Sequence, residues 1–591
     1  MKLKNLTALL LAAALSFSLC ACGTPAPADS APPEAARPTT LCLGARPASL
    51  DPARYASSDD ATYLVNTFSG LVGYRRNGAG MVQLAADLCR TLPVPQKNEA
   101  GQTVYVFELR DGLQWSDGSP LTAADFVYAW NRVLAMEDAD ERYLLSCIDG
   151  FDAGALNIAA SEDGKTLTVV LAEDVPYFLR LLANPVFLPV RQAAVESGEA
   201  WDSAAETFVC SGAYRIADLS DAGMTLTKNP YYWDADNVVT DTLRLDFSDD
   251  PAAAVQVFLA GRYALLGTLP TEQLAALREQ YADAYCVSDR LGTYSLCFNL
   301  NDPALAGFTE AERVQLRTAL GLLIDRNYIC DDIAKSGQLP ASAYIPGGIS
   351  DADGRDFASH NGPDGSGGGY YSTAPEDYES NCRRALQLLR SVAGSSGAFT
   401  VSDSGICEGF PTLSFLTSDS AGHMNIASYL HSLYAQYGIT LTVDAPDLAA
   451  FLQKREEGNY SIVRHSWTAD YDDPYSFLAL WSTGAGSNLV GFGRGAHADY
   501  AGYSATIGGE ERTGLTWAEA YDALLYTAES TSDTGERYRR MHEAETLLMR
   551  TGAICPLYSY TTVYLCSSDF QGVFTGPTAA KYLMFAYETE T

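Results

Sequence analysis

Apolar side chains along the chain follow two spacings, one typical of strands and one typical of helices. Residues 103–110 and 165–172 carry apolar side chains at every second position, and each range predicts a β-strand. Elsewhere apolar residues recur every three or four positions, which predicts amphipathic helices, one of them near 534–550. Three further helices are predicted to begin at a threonine with Asp or Glu three positions later, the capping-box pattern: Thr122, Thr309 and Thr516.

The order of these elements bears on the fold class. Strands and helices are mixed along the whole chain, which predicts an α/β fold rather than a sandwich or a helical bundle. The helix from Thr309 is expected to run towards Arg326, with Leu316 and Leu320 facing inward.

A glycine-rich stretch, residues 347–369, interrupts this pattern. It holds eight glycines and the acidic residues Asp351, Asp353, Asp356 and Asp364. A calcium loop needs acidic ligands at fixed offsets, a glycine at its sixth position and a late Glu, and this stretch lacks that arrangement. It is therefore interpreted as a flexible surface insertion, with metal binding as a minor alternative.

The composition and charge of the chain argue against one class of partner. The chain has 591 residues, 73 of them Asp or Glu and 39 Lys or Arg, for a formal net charge of −34. That length predicts several folding units. The charge argues against nucleic acid as a partner, because phosphate neutralisation needs clustered basic side chains.

The amino terminus predicts export. Lys2 and Lys4 precede an apolar run that is too short to span a membrane, as in a signal peptide (1–21). The run ends in Leu-Cys-Ala-Cys, which resembles a bacterial lipoprotein box with Cys22 as the lipidated residue. The alternative is an ordinary secretory signal. Residues 22–40 are rich in Pro and Ala and predict an extended tether. The predicted location is the outer face of the cytoplasmic membrane.

Signatures of catalysis and of metal binding are absent from the sequence. It contains no G-x-S-x-G, P-loop or H-E-x-x-H motif, no CxxC pair and no Cys/His cluster at metal spacing. We therefore predict no enzymatic activity, no cofactor and no metal.

Sequence blocks spread over residues 41–590 resemble one protein family in their order. They include Ser49-Leu50-Asp51-Pro52, Phe107-Glu108-Leu109-Arg110-Asp111-Gly112, Trp115-Ser116-Asp117-Gly118, Asn229-Pro230-Tyr231-Tyr232-Trp233, Ile324-Asp325-Arg326 and Trp467-Thr468-Ala469-Asp470-Tyr471. Together these blocks resemble the extracellular solute-binding proteins of family five, and among them the oligopeptide receptors of ABC importers.

The resemblance implies a periplasmic-binding-protein-like type II fold, with two lobes that close on a hinge around the ligand. A first lobe would be discontinuous, a second domain would be inserted into it, and the opposite lobe would hold the glycine-rich insertion. The implied ranges are 41–70, 203–296 and 556–591 for the first lobe, 71–202 for the inserted domain and 297–555 for the opposite lobe.

The same resemblance points to Asp470 as the partner of a peptide's α-ammonium group. A carboxylate in a water-poor cleft would bind that group through charge-assisted hydrogen bonds. The alternative is a turn residue, because Asp470 lies in an Asp- and Pro-rich segment. Arg464 is the candidate for the peptide carboxylate, with a surface salt bridge as its alternative.

Further candidate residues belong to two segments and to the region of Tyr558. A peptide bound as an added strand would contact them through its main chain and its first side chain. They are Ala56, Ser57, Ser58, His465, Ser466, Trp467, Thr468 and Tyr558. The alternative for Trp467 is an ordinary core tryptophan, and the alternative for Tyr558 is a residue of a packed strand.

The predicted function is a monomeric, membrane-tethered receptor that captures oligopeptides and delivers them to ABC permease subunits. Alternatives within the family are receptors for a dipeptide, a nickel chelate, haem or a peptide signal. Alternatives from other classes are a surface peptide hydrolase and an adhesin.

Overall fold

The computed structural model describes residues 39–55, 57–78, 80–198, 200–494, 503–507 and 510–589. The predicted signal peptide, Cys22 and nearly all of the predicted tether lie outside these residues. The strands are β1 (Thr39–Gly44), β2 (Val72–Arg76), β3 (Val82–Ala86), β4 (Gln96–Lys97), β5 (Thr103–Glu108), β6 (Ile158–Ala160), β7 (Thr166–Val170), β8 (Tyr214–Ser220), β9 (Gly223–Lys228), β10 (Thr242–Phe247), β11 (Leu265–Leu266), β12 (Tyr285–Phe298), β13 (Leu339–Pro340), β14 (Thr400–Val401), β15 (Cys407–Glu408), β16 (Leu413–Leu416), β17 (Leu441–Asp444), β18 (Ile462–Thr468), β19 (Tyr503–Ile507), β20 (Glu510–Leu515), β21 (Ile554–Cys566), β22 (Phe570–Gln571), β23 (Phe574–Thr575), β24 (Lys581–Tyr582) and β25 (Tyr587–Glu588).

Helices alternate with these strands along the chain. They are α1 (Ser58–Thr67), α2 (Ala123–Ala135), α3 (Phe178–Leu181), α4 (Gln192–Val195), α5 (Pro251–Leu259), α6 (Leu274–Gln280), α7 (Glu310–Leu322), α8 (Arg326–Tyr328), α9 (Tyr378–Ser396), α10 (Ala421–Gln436), α11 (Leu448–Glu457), α12 (Tyr475–Leu478), α13 (Trp517–Ser530) and α14 (Thr534–Arg550).

The predicted helix starts are confirmed. Thr122, Thr309 and Thr516 each form a capping box with the acidic residue three positions later. The helix from Thr309 is predicted to run towards Arg326, but α7 ends earlier, at Leu322. The Asp325 side chain accepts the N–H of Tyr328 and so begins the separate short helix α8.

One large sheet organises the molecule. Its strand order is β17-β16-β18-β12-β21-β11-β1-β10-β9-β8, with β13 also paired to β21. The long antiparallel pair β12 and β21 lies at its centre, between the strands on the β18 side and those on the β1 side. The pairing register of β12 with β21 shifts after Asp289 and again after Tyr294. Such irregularities bend a strand, so the two halves of the sheet are joined by two bent strands.

Strands β2 to β7 stand apart from this sheet, although they lie between β1 and β8 in the chain. They form a hairpin, β2-β3, and a four-stranded sheet of order β4-β5-β7-β6. Helix α2 packs on β6 and β7 with its apolar face, where Phe126 and Trp130 are fully buried. The residues assigned to the inserted domain therefore have strand pairings of their own.

Two further features of the described residues bear on location and chemistry. All eleven cysteines in this part of the chain are free thiols, and eight of them are buried. In the same residues no helix is both long and apolar enough to cross a membrane.

Candidate functional site

Strand β18 presents an unpaired edge. Its residues from Ile462 to Thr468 pair with β12 on one side, whereas β16 pairs on the other side only with Ile462 and Val463. Beyond Val463 the outer edge has no neighbouring strand in the described part of the chain. An unpaired edge offers backbone N–H and C=O groups to an incoming extended chain.

Arg464 lies at the start of this edge, half-buried. Its Nη2 donates to Ser418 Oγ at 3.1 Å, and its guanidinium lies 4.5 Å from the centre of the Phe451 ring. Burial lowers the pKa of Arg464, and within the described ranges no carboxylate forms an ion pair with it. The surface salt bridge considered as its alternative is therefore not found there, and the guanidinium remains available to an anionic group.

Three tyrosines lie on the two strands that follow β18 in the sheet, Tyr294 on β12 and Tyr558 and Tyr560 on β21. The Tyr558 ring stacks on Tyr294 at 5.0 Å and meets Tyr560 edge-on at 5.5 Å. The hydroxyl groups of Ser466 and Tyr560 lie 2.7 Å apart in a hydrogen bond. Arg464, Ser466 and Thr468 share one face of the strand, because side chains alternate along it. Ser466 and Thr468 are both exposed.

His465 and Trp467 lie on the other face of β18. His465 is buried, packs edge-on against Trp481 at 5.1 Å, and has its pKa lowered to about 3 by burial and by nearby arginines. Trp467 is half-buried against the apolar core on the same side. The structure thus leaves only the backbone of His465 for a ligand at the strand edge.

Asp470 lies two residues after the end of β18 and faces the segment that carries Glu141 and Tyr143. Burial raises the pKa of its carboxyl, and a hydrogen bond from the Tyr143 hydroxyl opposes part of that rise. Glu141 lies close by, and its pKa is raised by burial and then by the charge of Asp470. The described residues give neither carboxylate a cationic partner. Two adjacent carboxylates of this kind form a site that favours a cation.

The residues after Asp470 are held in place from two sides. The Tyr471 ring stacks on Tyr177 at 4.2 Å, and Arg180 donates to the buried Asp472 at 2.8 Å. Asp473 forms a buried bidentate pair with Arg537 at 2.7 and 2.8 Å. These contacts hold the backbone of the turn that follows Asp470.

The second predicted segment is only partly described. Ala56 and the side chain of Ser58 lie outside the described residues. The Ser57 hydroxyl accepts the N–H of Asp60 and so caps helix α1. Tyr55, next to this segment, donates to Asn184 at 3.0 Å, and the charge of Asp470 contributes to raising its pKa.

Sequence reasoning missed Tyr55, Glu141 and Tyr143. They belong to the two segments that face Asp470 across the cleft, more than 300 residues away along the chain. No local pattern marks them, since their role depends on which surface they face in the folded protein.

Comparison with known proteins agrees with this architecture. Residues 83–488 match the family model described as "Bacterial extracellular solute-binding proteins, family 5 Middle". The dipeptide-binding protein DppE of Bacillus subtilis is 26% identical over 80% of this chain and 79% of its own length. The oligopeptide-binding protein OppA of the same organism is 25% identical over 93% of this chain and 92% of its own.

Solved structures show the same fold. The unliganded open form of the periplasmic murein tripeptide binding protein MppA covers 94% of this chain, with 98% of its own length, at a TM-score of 0.74 and 24% identity. OppA of Haemophilus influenzae in complex with the peptide RPPGFSPFR gives a TM-score of 0.57 at 22% identity, covering 93% of this chain and 99% of its own. The predicted two-lobe α/β fold is confirmed. Because the family match spans more than half of the chain, this protein belongs to the bacterial extracellular solute-binding proteins of family 5.

Proposed function

We propose that this protein captures oligopeptides between its lobes and delivers them to the permease subunits of an ABC importer. The observation that carries the proposal is the pair Asp470 and Glu141, two half-buried carboxylates without a cation among the described residues, next to the open edge of β18. A peptide supplies the matching groups, because it always has one ammonium terminus and a row of main-chain amides. DppE and OppA of Bacillus subtilis, which bind dipeptides and oligopeptides by name, support the same ligand class.

In this proposal the ligand's α-ammonium lies between Asp470 and Glu141. Its main chain adds to β18 as a further strand, and its carboxylate meets the guanidinium of Arg464. The side chains of Ser57, Ser466, Thr468 and Tyr558 line the same cleft, and Trp467 contributes its backbone, since its ring packs on the opposite face of β18. The ligand thereby supplies the charges that two buried carboxylates and one arginine lack, which favours closure of the lobes around it.

The separation of the two charged anchors suggests a ligand length. Arg464 and Asp470 are six residues apart, and a strand rises about 3.3 Å per residue, so the anchors lie up to about 20 Å apart. An extended peptide spans that distance with about five to six residues. We infer a preference for peptides of this length.

The setting of the receptor completes the proposal. A lipid on Cys22 would hold the body at the outer face of the membrane through the Pro/Ala-rich tether. The receptor would act as a monomer and without chemistry on its ligand. The domain division given by the sequence, with 71–202 inserted into the first lobe and 297–555 as the opposite lobe, is proposed unchanged.

Calorimetry with matched peptides tests the ammonium site. A free pentapeptide should bind wild-type protein, and its N-acetylated form should bind at least tenfold more weakly, because a charge-assisted hydrogen bond contributes about 1.5–3 kcal/mol. Asp470→Asn should lower the affinity for the free peptide by a similar factor. Asp403→Asn, at an exposed turn, is the matched control and should bind as wild type does.

Two results would contradict the proposal. If Asp470→Asn binds the free peptide as tightly as the control, the ammonium does not lie there. If intact protein converts the peptide into fragments, detected by mass spectrometry after incubation, the protein is a hydrolase. A carboxy-terminally amidated peptide tests Arg464 in the same series and should bind more weakly than the free acid.

A further inference from the structure

Three metal-ligating side chains meet away from the peptide cleft. Asp351 and His360 belong to the glycine-rich insertion, and His542 lies on helix α14. His360 Nδ1 is 2.7 Å and His542 Nε2 is 3.0 Å from the same carboxylate oxygen, Asp351 Oδ2. One ligand atom from each residue lies within 4.8 Å of the others. Two chain segments nearly 200 residues apart thus bring two imidazoles and one carboxylate close together.

The cluster is held rigidly by its surroundings. Asp351 is 6% exposed, and the backbone of its turn is closed by a hydrogen bond from its own N–H to the Arg355 carbonyl at 2.7 Å. The His542 ring stacks face to face on Phe357 at 3.7 Å, which fixes its plane. Because the ligand directions are set before any ion arrives, binding costs little conformational entropy.

We propose that Asp351, His360 and His542 form a binding site for a divalent cation of the zinc class. Two imidazole nitrogens and one carboxylate are a donor set typical of zinc with one position left open. Calcium and magnesium prefer oxygen ligands and fit this set poorly. The expected fourth ligand is water, since a cavity of about 410 Å³ borders His360 and His542.

The two distances to Asp351 need only small shifts to accept the ion. Zinc bonds of about 2.0–2.1 Å in a tetrahedron place ligand atoms about 3.3 Å apart, a few tenths of an ångström beyond the present 2.7 and 3.0 Å. The ion would take the place of the hydrogen atoms that the two imidazoles now share with Asp351.

The proton positions predict the strength of binding. Arg355 Nη2 donates to His360 Nε2 at 2.8 Å, so the proton of that ring is on Nδ1. An ion on Nδ1 moves this proton to Nε2, and the exposed Arg355 side chain must turn away. His542 Nδ1 has no hydrogen-bond partner in the described residues. Missing outer partners weaken metal sites by 10–100-fold, so we expect micromolar rather than nanomolar affinity.

The consequence of binding is local order next to the peptide site. Ser350, the neighbour of Asp351, donates through its N–H and its hydroxyl to Asp472 at 2.7 and 2.6 Å. Asp472 is the residue that Arg180 contacts. An ion on Asp351 would therefore stabilise the loop that carries Asp470, without touching the ligand.

Titration of the purified, EDTA-treated protein with zinc chloride tests the site. Calorimetry should show one ion per chain, a raised melting temperature, and no binding of magnesium. His360→Gln and Asp351→Asn should each weaken zinc binding by about tenfold or more. His431→Gln, which removes an exposed histidine of α10, is the control and should bind zinc as wild type does.

A second measurement does not depend on the variants being stable. Crystals of the wild-type protein soaked in zinc should give an anomalous difference peak between the three side chains. No heat of binding, unchanged binding in a folded His360→Gln variant, or a peak only elsewhere would overturn the proposal. The Asp470→Asn variant should bind zinc normally, so the outcome is independent of the peptide proposal.

Discussion

At the scale of single residues, the chemistry of the cleft depends on two carboxylates that folding makes weaker acids. Burial raises the pKa of Asp470. Burial and the charge of Asp470 together raise the pKa of Glu141. Tyr55 and Tyr143 face these carboxylates. Burial raises the pKa of each phenol well above its ordinary value, so both side chains stay uncharged. The electrostatic potential around Asp470 and Glu141 is therefore negative near neutral pH. It becomes less negative as the two carboxylates take up protons.

Peptide affinity should depend on pH accordingly. Only ionised carboxylates attract the ammonium, which itself stays protonated below its pKa of about 7.7–8.0. Affinity should be full at neutral pH and should fall as the pH drops through the raised pKa values of the two carboxyl groups. Calorimetry at a series of pH values from neutral into the acid range measures this fall.

The Asp470→Asn variant is the control for that titration. Its weaker affinity should vary less with pH, because only Glu141 remains to titrate. A wild-type affinity that falls with acid no more than the affinity of Asp470→Asn would contradict an ammonium site built on these two groups.

At the scale of elements, the open edge of β18 is the feature that would allow the receptor to accept many sequences. Main-chain hydrogen bonds are the same for every peptide, and in the described residues the outer edge of β18 from Arg464 to Thr468 has no neighbouring strand. Along a paired strand, successive N–H groups point alternately towards and away from the partner.

Methylating the amide nitrogens of a bound pentapeptide one at a time should reveal this alternation. Methyl groups on amides that face β18 should reduce affinity by about fivefold or more, for the loss of about 1 kcal/mol per hydrogen bond. Methyl groups on the intervening amides serve as internal controls and should have a smaller effect. Equal losses at every position would exclude strand addition.

At the scale of the whole molecule, an ion pair between Arg180 and Asp472 joins two segments that are nearly 300 residues apart in the chain, close to Asp470. Arg180 is half-buried and donates to both the carboxylate and the backbone carbonyl of the buried Asp472. The stacked rings of Tyr177 and Tyr471 lie next to it. These contacts bring Asp470 and Glu141 together although they belong to different parts of the molecule.

Replacing Arg180 by Met should separate these surfaces. The change leaves the Asp472 carboxylate without its charged partner, at a cost of about 2 kcal/mol. We expect a larger radius of gyration by X-ray scattering and a weaker affinity for peptide. Arg90→Met, which removes an exposed ion pair with Asp111, should change neither quantity. An unchanged radius in Arg180→Met would show that other contacts hold the lobes.

Much of the fold could be predicted from the sequence because its signals are local. Capping boxes at Thr122, Thr309 and Thr516 and the two alternating strands depend on residues a few positions apart, and the structure has them. The end of α7 was harder to predict, since Asp325 competes with continuation of the helix.

The candidate site could be predicted only in part, because local sequence signals do not show which distant residues meet. The sequence by itself determined the family, because blocks of adjacent residues encode it, and the resemblance pointed to the segment that carries Arg464 and Asp470. Only the tertiary structure decided that His465 faces the core, that Glu141 and Tyr143 face Asp470, and that His542 meets Asp351 and His360. Those contacts join residues far apart in the chain, and their formation depends on how the elements pack.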